Sequence, residues 1–277
     1  MGAEFIDYIV ADRFTIPEAD EPFFSEKVAR LPDSYQPNDR TRGIAAKPPT
    51  RAGMGLPETG FVFCCFNNSF KIQPRVFDVW MRLLRQIEGS VLWLLADNSS
   101  ATANLKHEAA AHGVDPDRLV FAPRAGLEEH LARHRLADLF LDTLPYNAHT
   151  TASDSLWTGL PVLTCMGSTF AGRVAASVLN AAGLPELVTS TLDEYEALAL
   201  ALAREPVRLA GIRANLAANR DTCPLFDVER FTRHLETAYT LMWERAERGE
   251  KATPFDVPAV ESRCRLRDSN TRPHHYE

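Results

Sequence analysis

Asp142-Thr-Leu-Pro-Tyr-Asn-Ala-His-Thr-Thr-Ala-Ser-Asp-Ser-Leu-Trp157 follows the apolar run Leu139-Phe140-Leu141. The run reads as a short buried strand, Pro145 and Asn147 as a turn, and the apolar-periodic segment through Leu156 and Trp157 as a helix. A helix that opens with His149, Thr150 and Thr151 behind a strand offers an anion the unpartnered N–H groups of its first turn and the positive end of its dipole. Two hydroxyls and an imidazole add side-chain donors suited to a pyrophosphate. Asp154 lies four residues after Thr150 and three after Thr151, so it shares their face and is placed to reach a ribose. The same residues also suit a plain capped helix, with Thr150 or Thr151 as the cap.

Outward from this stretch, apolar runs and helical spacings alternate from Gly60 onward. Strands are expected at 61–66, 91–95, 119–121, 139–141 and 161–164. Helices are expected at 74–87 and 102–112, from 128, after His149, and through Val174 and Val178. Such alternation argues for a parallel, doubly wound α/β sheet, whose ligands sit outside the carboxyl ends of the strands. After Leu192 the chain reads as helices over 192–203, 206–218 and 228–247, the last with Phe231, Leu235, Tyr239 and Trp243 at i, i+4 spacing.

The flanks read differently. Residues 1–36 hold one short strand candidate, Ile6–Val10, and an acidic, Pro-bearing loop. A lone strand cannot bury its own surface, so this piece is expected to be the end of something larger. Residues 37–58 carry Pro, Gly and Arg without periodicity and read as a linker, and 59–255 as the main lobe with its C-terminal helices. Residues 256–277 read as a disordered tail, in which His274 and His275 suit a loose terminus better than a metal site.

Composition excludes several classes. The 277 residues are 45% hydrophobic and 24% charged, the balance of a soluble globular protein. A net charge of -7 without Lys/Arg runs argues against a nucleic-acid footprint. No long apolar stretch or signal peptide points to a membrane, which leaves a cytoplasmic expectation. The five cysteines form no CxxC pair; Cys64, Cys65 and Cys165 lie in apolar runs, where cysteine behaves as a small hydrophobe.

Four loops fall behind strands on one edge of the expected sheet: Asn67 to Lys71, Pro123 to His130, the His149 stretch, and Met166 to Phe170 ahead of Arg173. Together they describe a nucleotide-diphosphate pocket with a cation, helix N-termini, a stacking ring and a ribose-binding carboxylate. A Rossmann dehydrogenase is disfavoured, because CFNNSFK stands where G-x-G-x-x-G would follow the first strand.

CFNNSFKI (65–72), VLWLLADN (91–98), RLVFAP (118–123), the run from Glu128 to Thr164, GRVAAS (172–177) and PLFD (224–227) resemble the catalytic region of the protein O-linked N-acetylglucosamine transferase/SPINDLY family, particularly its bacterial members. IDYIVAD (6–12) and FFSEKVARLPDSY (23–35) resemble the junction between that family's two catalytic lobes. The resemblance covers about residues 4–250. It implies the C-terminal, donor-binding lobe of a GT-B glycosyltransferase, with a Rossmann-like doubly wound sheet. The implied activity is inverting transfer of N-acetylglucosamine from UDP-N-acetylglucosamine to Ser/Thr hydroxyls of a protein acceptor. It implies Lys71 as the cation for the departing diphosphate, His149, Thr150 and Thr151 as phosphate donors, and Asp154 as the ribose ligand. His130 would stack on the uracil, Ala125 would meet the base edge through its backbone, and Asn68, where many members carry Gln, would touch phosphate or sugar. Leu127 stands where animal members carry Lys. His149 in NAHTT favours the N-acetylglucosamine branch over the SPINDLY-type fucosyltransferases, and a member using another nucleotide sugar, GDP-fucose or UDP-glucose, is an alternative. No cofactor or metal is expected, since Lys71 and a helix N-terminus supply the positive charge. The upstream lobe and tetratricopeptide repeats of the family are expected as missing partners, so the alternative is a UDP-sugar-binding module without turnover.

Overall fold

The computed structural model describes residues 2–259. Two strands open the chain, β1 (Tyr8–Asp12) and β2 (Lys27–Leu31). There follow β3 (Val62–Cys65), α1 (Pro74–Gln86), β4 (Val91–Leu95), α2 (Ser99–Ala111), β5 (Leu119–Ala122), α3 (Leu127–Arg133), β6 (Leu139–Leu141), α4 (Thr150–Trp157), β7 (Val162–Cys165), α5 (Val174–Ala181) and β8 (Val188–Thr189). Helices α6 (Leu192–Arg204), α7 (Pro206–Asn219) and α8 (Val228–Glu247) lead to β9 (Phe255–Asp256).

The main sheet has the order β5-β4-β3-β6-β7-β8, and every pairing in it is parallel. The expected doubly wound sheet is borne out. Its strands are buried on both faces, which is why they read as continuous apolar runs rather than alternating ones. Helix α1 starts with Pro74 in its first turn and buries Val76, Phe77, Trp80, Leu83 and Leu84, the i, i+3, i+4, i+7 face. Asn98, Thr191 and Asp227 cap α2, α6 and α8 through side-chain oxygens that accept from Ala101, Glu194 and Arg230 N–H groups. The order reverses between β3 and β6, so the loops after those two strands diverge around a crevice at the carboxyl edge.

A second parallel sheet has the order β1-β2-β9. The expectation of a strand near 6–10 is met two residues later, while β2 and β9 go beyond it. Buried Asp12 joins this sheet to the main lobe: its carboxylate accepts from Tyr35 N–H (2.9 Å) and from Ser177 Oγ on α5 (2.6 Å). Arg173 adds an ion pair with Asp20 (2.9 Å). The 255/256 boundary drawn from composition falls inside β9, and Val257 beyond it is buried, its N–H donating to Arg30 O. The rest of the expected tail, with His274 and His275, lies outside the described residues.

Helix α8 packs on β2 through Ala238, with Phe231 and Met242 beside it, while Tyr239 and Trp243 are exposed. The i, i+4 reading of that helix needs correcting at its far end. At 3.6 residues per turn each step of four drifts about 40°, so Tyr239 and Trp243 rotate off the buried face that begins at Phe231.

Candidate functional site

The carboxyl ends of β3 and β6 carry Asn67 and Asp142, both buried. Asn67 Nδ2 donates to Thr143 Oγ1 (2.8 Å) and Asp142 Oδ1 (3.3 Å), closing the crevice at its floor. Asp142 Oδ1 also accepts from Thr143 N–H (2.7 Å) and Ala148 N–H (2.6 Å), and Oδ2 accepts from Thr164 Oγ1 (2.7 Å). One carboxylate therefore folds the 142–148 turn around itself. Burial pushes its pKa up to about 7, against those hydrogen bonds and the nearby Lys71. The next loop props the turn from the far side. Ala171 O accepts from Asn147 N–H (2.9 Å), and a Cβ on Gly172 would stand 2.7 Å from Pro145 O, so only glycine permits this approach.

Above this floor Lys71, ending a short turn after β3, is half-buried. Its Nζ donates to Asn147 O (2.9 Å) and lies 3.8 Å from the Tyr146 ring centroid. Burial lowers its pKa, while Asp142 works to hold the charge. Helix α4 begins at Thr150 with His149 at its N-cap, and His149 makes no side-chain cap. The plain reading of Thr150 or Thr151 as cap is therefore not what the chain does.

Two of the expected phosphate donors are engaged within the protein. His149 Nε2 lies 3.2 Å from Ala171 O, and a carbonyl only accepts, so the ring proton sits there. Burial lowers the pKa of His149, which leaves Nδ1 an acceptor. Thr151 Oγ1 donates to Asn67 Oδ1 (2.8 Å). The donors left for an anion are Lys71 Nζ, the first-turn N–H groups of α4 and the exposed Thr150 hydroxyl.

The remaining predicted residues ring this centre. Asn68 Oδ1 accepts from Arg124 Nη2 (3.2 Å). Ala125, with Pro123 and Arg124, lines a cavity of about 490 Å³ whose opposite wall is Lys47, Pro48 and Met54. His130 on α3 is half-buried; its Nδ1 meets Arg133 Nη2, and its ring stands edge-on to Phe66 and His134. Burial, with Arg133 beside it, drops its pKa to about 4, so the ring is neutral at physiological pH. Asp154, on the second turn of α4, is in ion-pair contact with Arg42. Burial raises the pKa of Asp154 and Arg42 opposes the rise. Arg173, noted beside the fourth loop, is turned away toward Gly167 O and Asp20. Among the described residues no group of three or more His, Cys, Asp or Glu is placed to hold a metal ion, and no helix is long and apolar enough to cross a membrane.

Known proteins resemble this chain in sequence and in fold. Residues 43–235 match the sequence profile of glycosyl transferase family 41. The chain belongs to that family. It is 38% identical over 262 residues to the probable UDP-N-acetylglucosamine–peptide N-acetylglucosaminyltransferase SEC of Arabidopsis thaliana, a match that takes in 92% of this chain and 27% of that protein. The corresponding Caenorhabditis elegans enzyme is 40% identical over 200 residues, 72% of this chain and 17% of that one. The fold matches a mutant O-GlcNAc transferase of Thermobaculum terrenum with a TM-score of 0.77 at 33% identity, covering 88% of this chain and 46% of that chain. The expected Rossmann-like lobe of a GT-B glycosyltransferase is thereby shown. The chain spans about a quarter or less of these curated relatives, 27% and 17%.

Within this family 41 lobe the sequence reading passed over Asn67, Asp142 and Arg42. The first two had a signal: each is the first polar residue after an apolar strand at the ligand edge. Arg42 had none, since nothing periodic or local ties residue 42 to residue 154.

Proposed function

We propose that this chain is the donor-nucleotide-binding part of a protein O-linked N-acetylglucosaminyltransferase, taking UDP-N-acetylglucosamine as donor. The observation that supports this most is that Lys71 and the N-terminus of α4 converge at the crevice between β3 and β6. A diphosphate seated there meets a half-buried ammonium and the positive end of a helix at once. In inverting transfer a Ser/Thr hydroxyl oxygen of the acceptor bonds to the sugar's anomeric carbon as the bond from that carbon to the diphosphate oxygen breaks. The electron pair leaves with UDP and the hydroxyl proton is released to water, so negative charge grows on the diphosphate, and fixed donors placed there favour the transition state over the ground state. Asn68 and Thr150 add polar contacts to the phosphates or sugar, and the neutral His130 ring is suited to stack on the base. Ala125 presents its backbone to the base edge beside the 490 Å³ cavity, and Asp154 is assigned to the ribose.

The acceptor site and the upstream catalytic lobe are assigned to parts of the relatives that this chain does not match, so a second reading is binding without turnover. Calorimetry on the chain tests the pocket: UDP should bind more tightly than UMP, because Lys71 and α4 address the β-phosphate. Equal affinities would overturn the assignment. A transfer assay with and without an upstream lobe then separates the two readings.

A further inference from the structure

Residues 36–45 are pinned across the mouth of the site. Gln36 Nε2 donates to Ser153 Oγ (3.3 Å) on α4, Trp157 Nε1 donates to Arg42 O (3.2 Å), and Ala45 N–H donates to Glu128 O (3.1 Å) on α3. The segment thus bridges the helix that carries Asp154 and the helix that carries His130. Arg42 is held along its length, with Nε donating to Asp39 O (2.8 Å) and the guanidinium 6.0 Å from the Trp157 ring centroid. Its side chain is 11% exposed and that of Asp154 is 9% exposed.

The pair is not closed on itself. Arginine and a carboxylate can meet fork to fork, with both oxygens and two N–H groups matched. Here Arg42 Nη1 takes Asp154 Oδ1, Nη2 is buried with no partner among the described residues, and Oδ2 accepts no hydrogen bond from them. Asp154 therefore keeps one oxygen without a protein donor, on a carboxylate that Arg42 holds in place. A ribose hydroxyl is a donor that such an oxygen can take.

We infer that Arg42 is a positioning residue for ribose recognition, fixing the Asp154 carboxylate through Oδ1 so that Oδ2 is left to receive a ribose hydroxyl. The inference rests on the reading of Asp154 as the ribose ligand. Calorimetry with UDP and 2′-deoxy-UDP on the folded chain tests it. The wild type should prefer UDP by about tenfold, the worth of one hydrogen bond to a charged group. Arg42→Ala should bring that ratio close to one while UDP still binds, whereas a destabilised fold with intact recognition leaves the ratio unchanged. Arg42→Gln, near in shape but uncharged, carries the same expectation if the alanine variant does not fold. Retention of the full preference in either folded variant, with its loss in Asp154→Asn, overturns the role of Arg42 and leaves Asp154 as ribose ligand. Retention in all three overturns both, and a wild type that binds no UDP overturns the donor-site reading as well.

Discussion

Lys71 sits with its ammonium 3.8 Å from the centre of the Tyr146 ring, which stands in the loop that the Asp142 carboxylate shapes. The ring satisfies the cation without a carboxylate in direct contact, so the charge stays available to an incoming phosphate. Phe70, exposed beside Tyr146 with ring centroids 6.2 Å apart, extends this aromatic rim.

Lys71→Ala, introduced where the upstream lobe is supplied, should lower kcat on the order of 10²–10³-fold, roughly 3–4 kcal/mol, with a much smaller loss of affinity for the intact UDP-sugar. Leaving-group charge grows from the ground state to the transition state, so the cation counts for more in the latter. Steady-state kinetics on the fused or full-length protein decide it: an effect confined to KM would remove Lys71 from the chemical step.

His130→Ala should act in the opposite sense. A stacking ring serves ground and transition states alike, so KM for the donor should rise with kcat little changed. Because His130 titrates near 4, donor binding should show no step from this ring between pH 5 and 8. A binding titration across that range that finds a histidine-like step lost in His130→Ala would contradict the neutral ring.

Asp142→Ala removes the acceptor that holds the Thr143 and Ala148 N–H groups and the Thr164 hydroxyl. Each buried donor left unmet costs about 1–3 kcal/mol, so urea unfolding should show a loss of at least about 2 kcal/mol. Asp142→Asn keeps one acceptor oxygen and should lose less. An alanine variant as stable as wild type would mean that the turn holds itself without the carboxylate.

His134 gives the fold an acid limit. It is fully buried, its Nδ1 hydrogen-bonded to His130 O (2.7 Å), and burial drops its pKa to about 3. The unfolded chain takes up this proton near pH 6.5, while the folded chain resists until about 3. Between those values the unfolded state binds more protons, so stability falls as pH falls and the contribution is gone by about pH 3. Melting temperatures between pH 7 and 4 should drop more steeply in wild type than in His134→Phe; parallel curves would exclude this histidine as the cause.

The main sheet was legible because β3 through β7 are apolar runs bounded by turn residues, with amphipathic helices such as α1 between them. Strand β2 was not, because Lys27 and Arg30 interrupt its apolar pattern. Arg30 is buried only because Ile16 O, Glu21 and Asp256 meet its guanidinium, partners far from it in sequence. Strands β8 and β9, two residues each, are too short to show a period. The placement of Lys71, His149 and Thr151 behind strands on one edge of the sheet was legible, because each follows an apolar run. Their internal partners were not, since the bonds from His149 to Ala171 and from Thr151 to Asn67 depend on how three loops meet.

The return of β9 to β2 sets an order of assembly. Phe255 and Asp256 pair with Ala29 and Arg30, so strands made first wait for a neighbour made more than two hundred residues later. A nascent chain stalled short of Phe255 should therefore leave β2 open to protease on one edge while β3 to β8 are already protected. During synthesis the main sheet is complete before β2 gains its second neighbour.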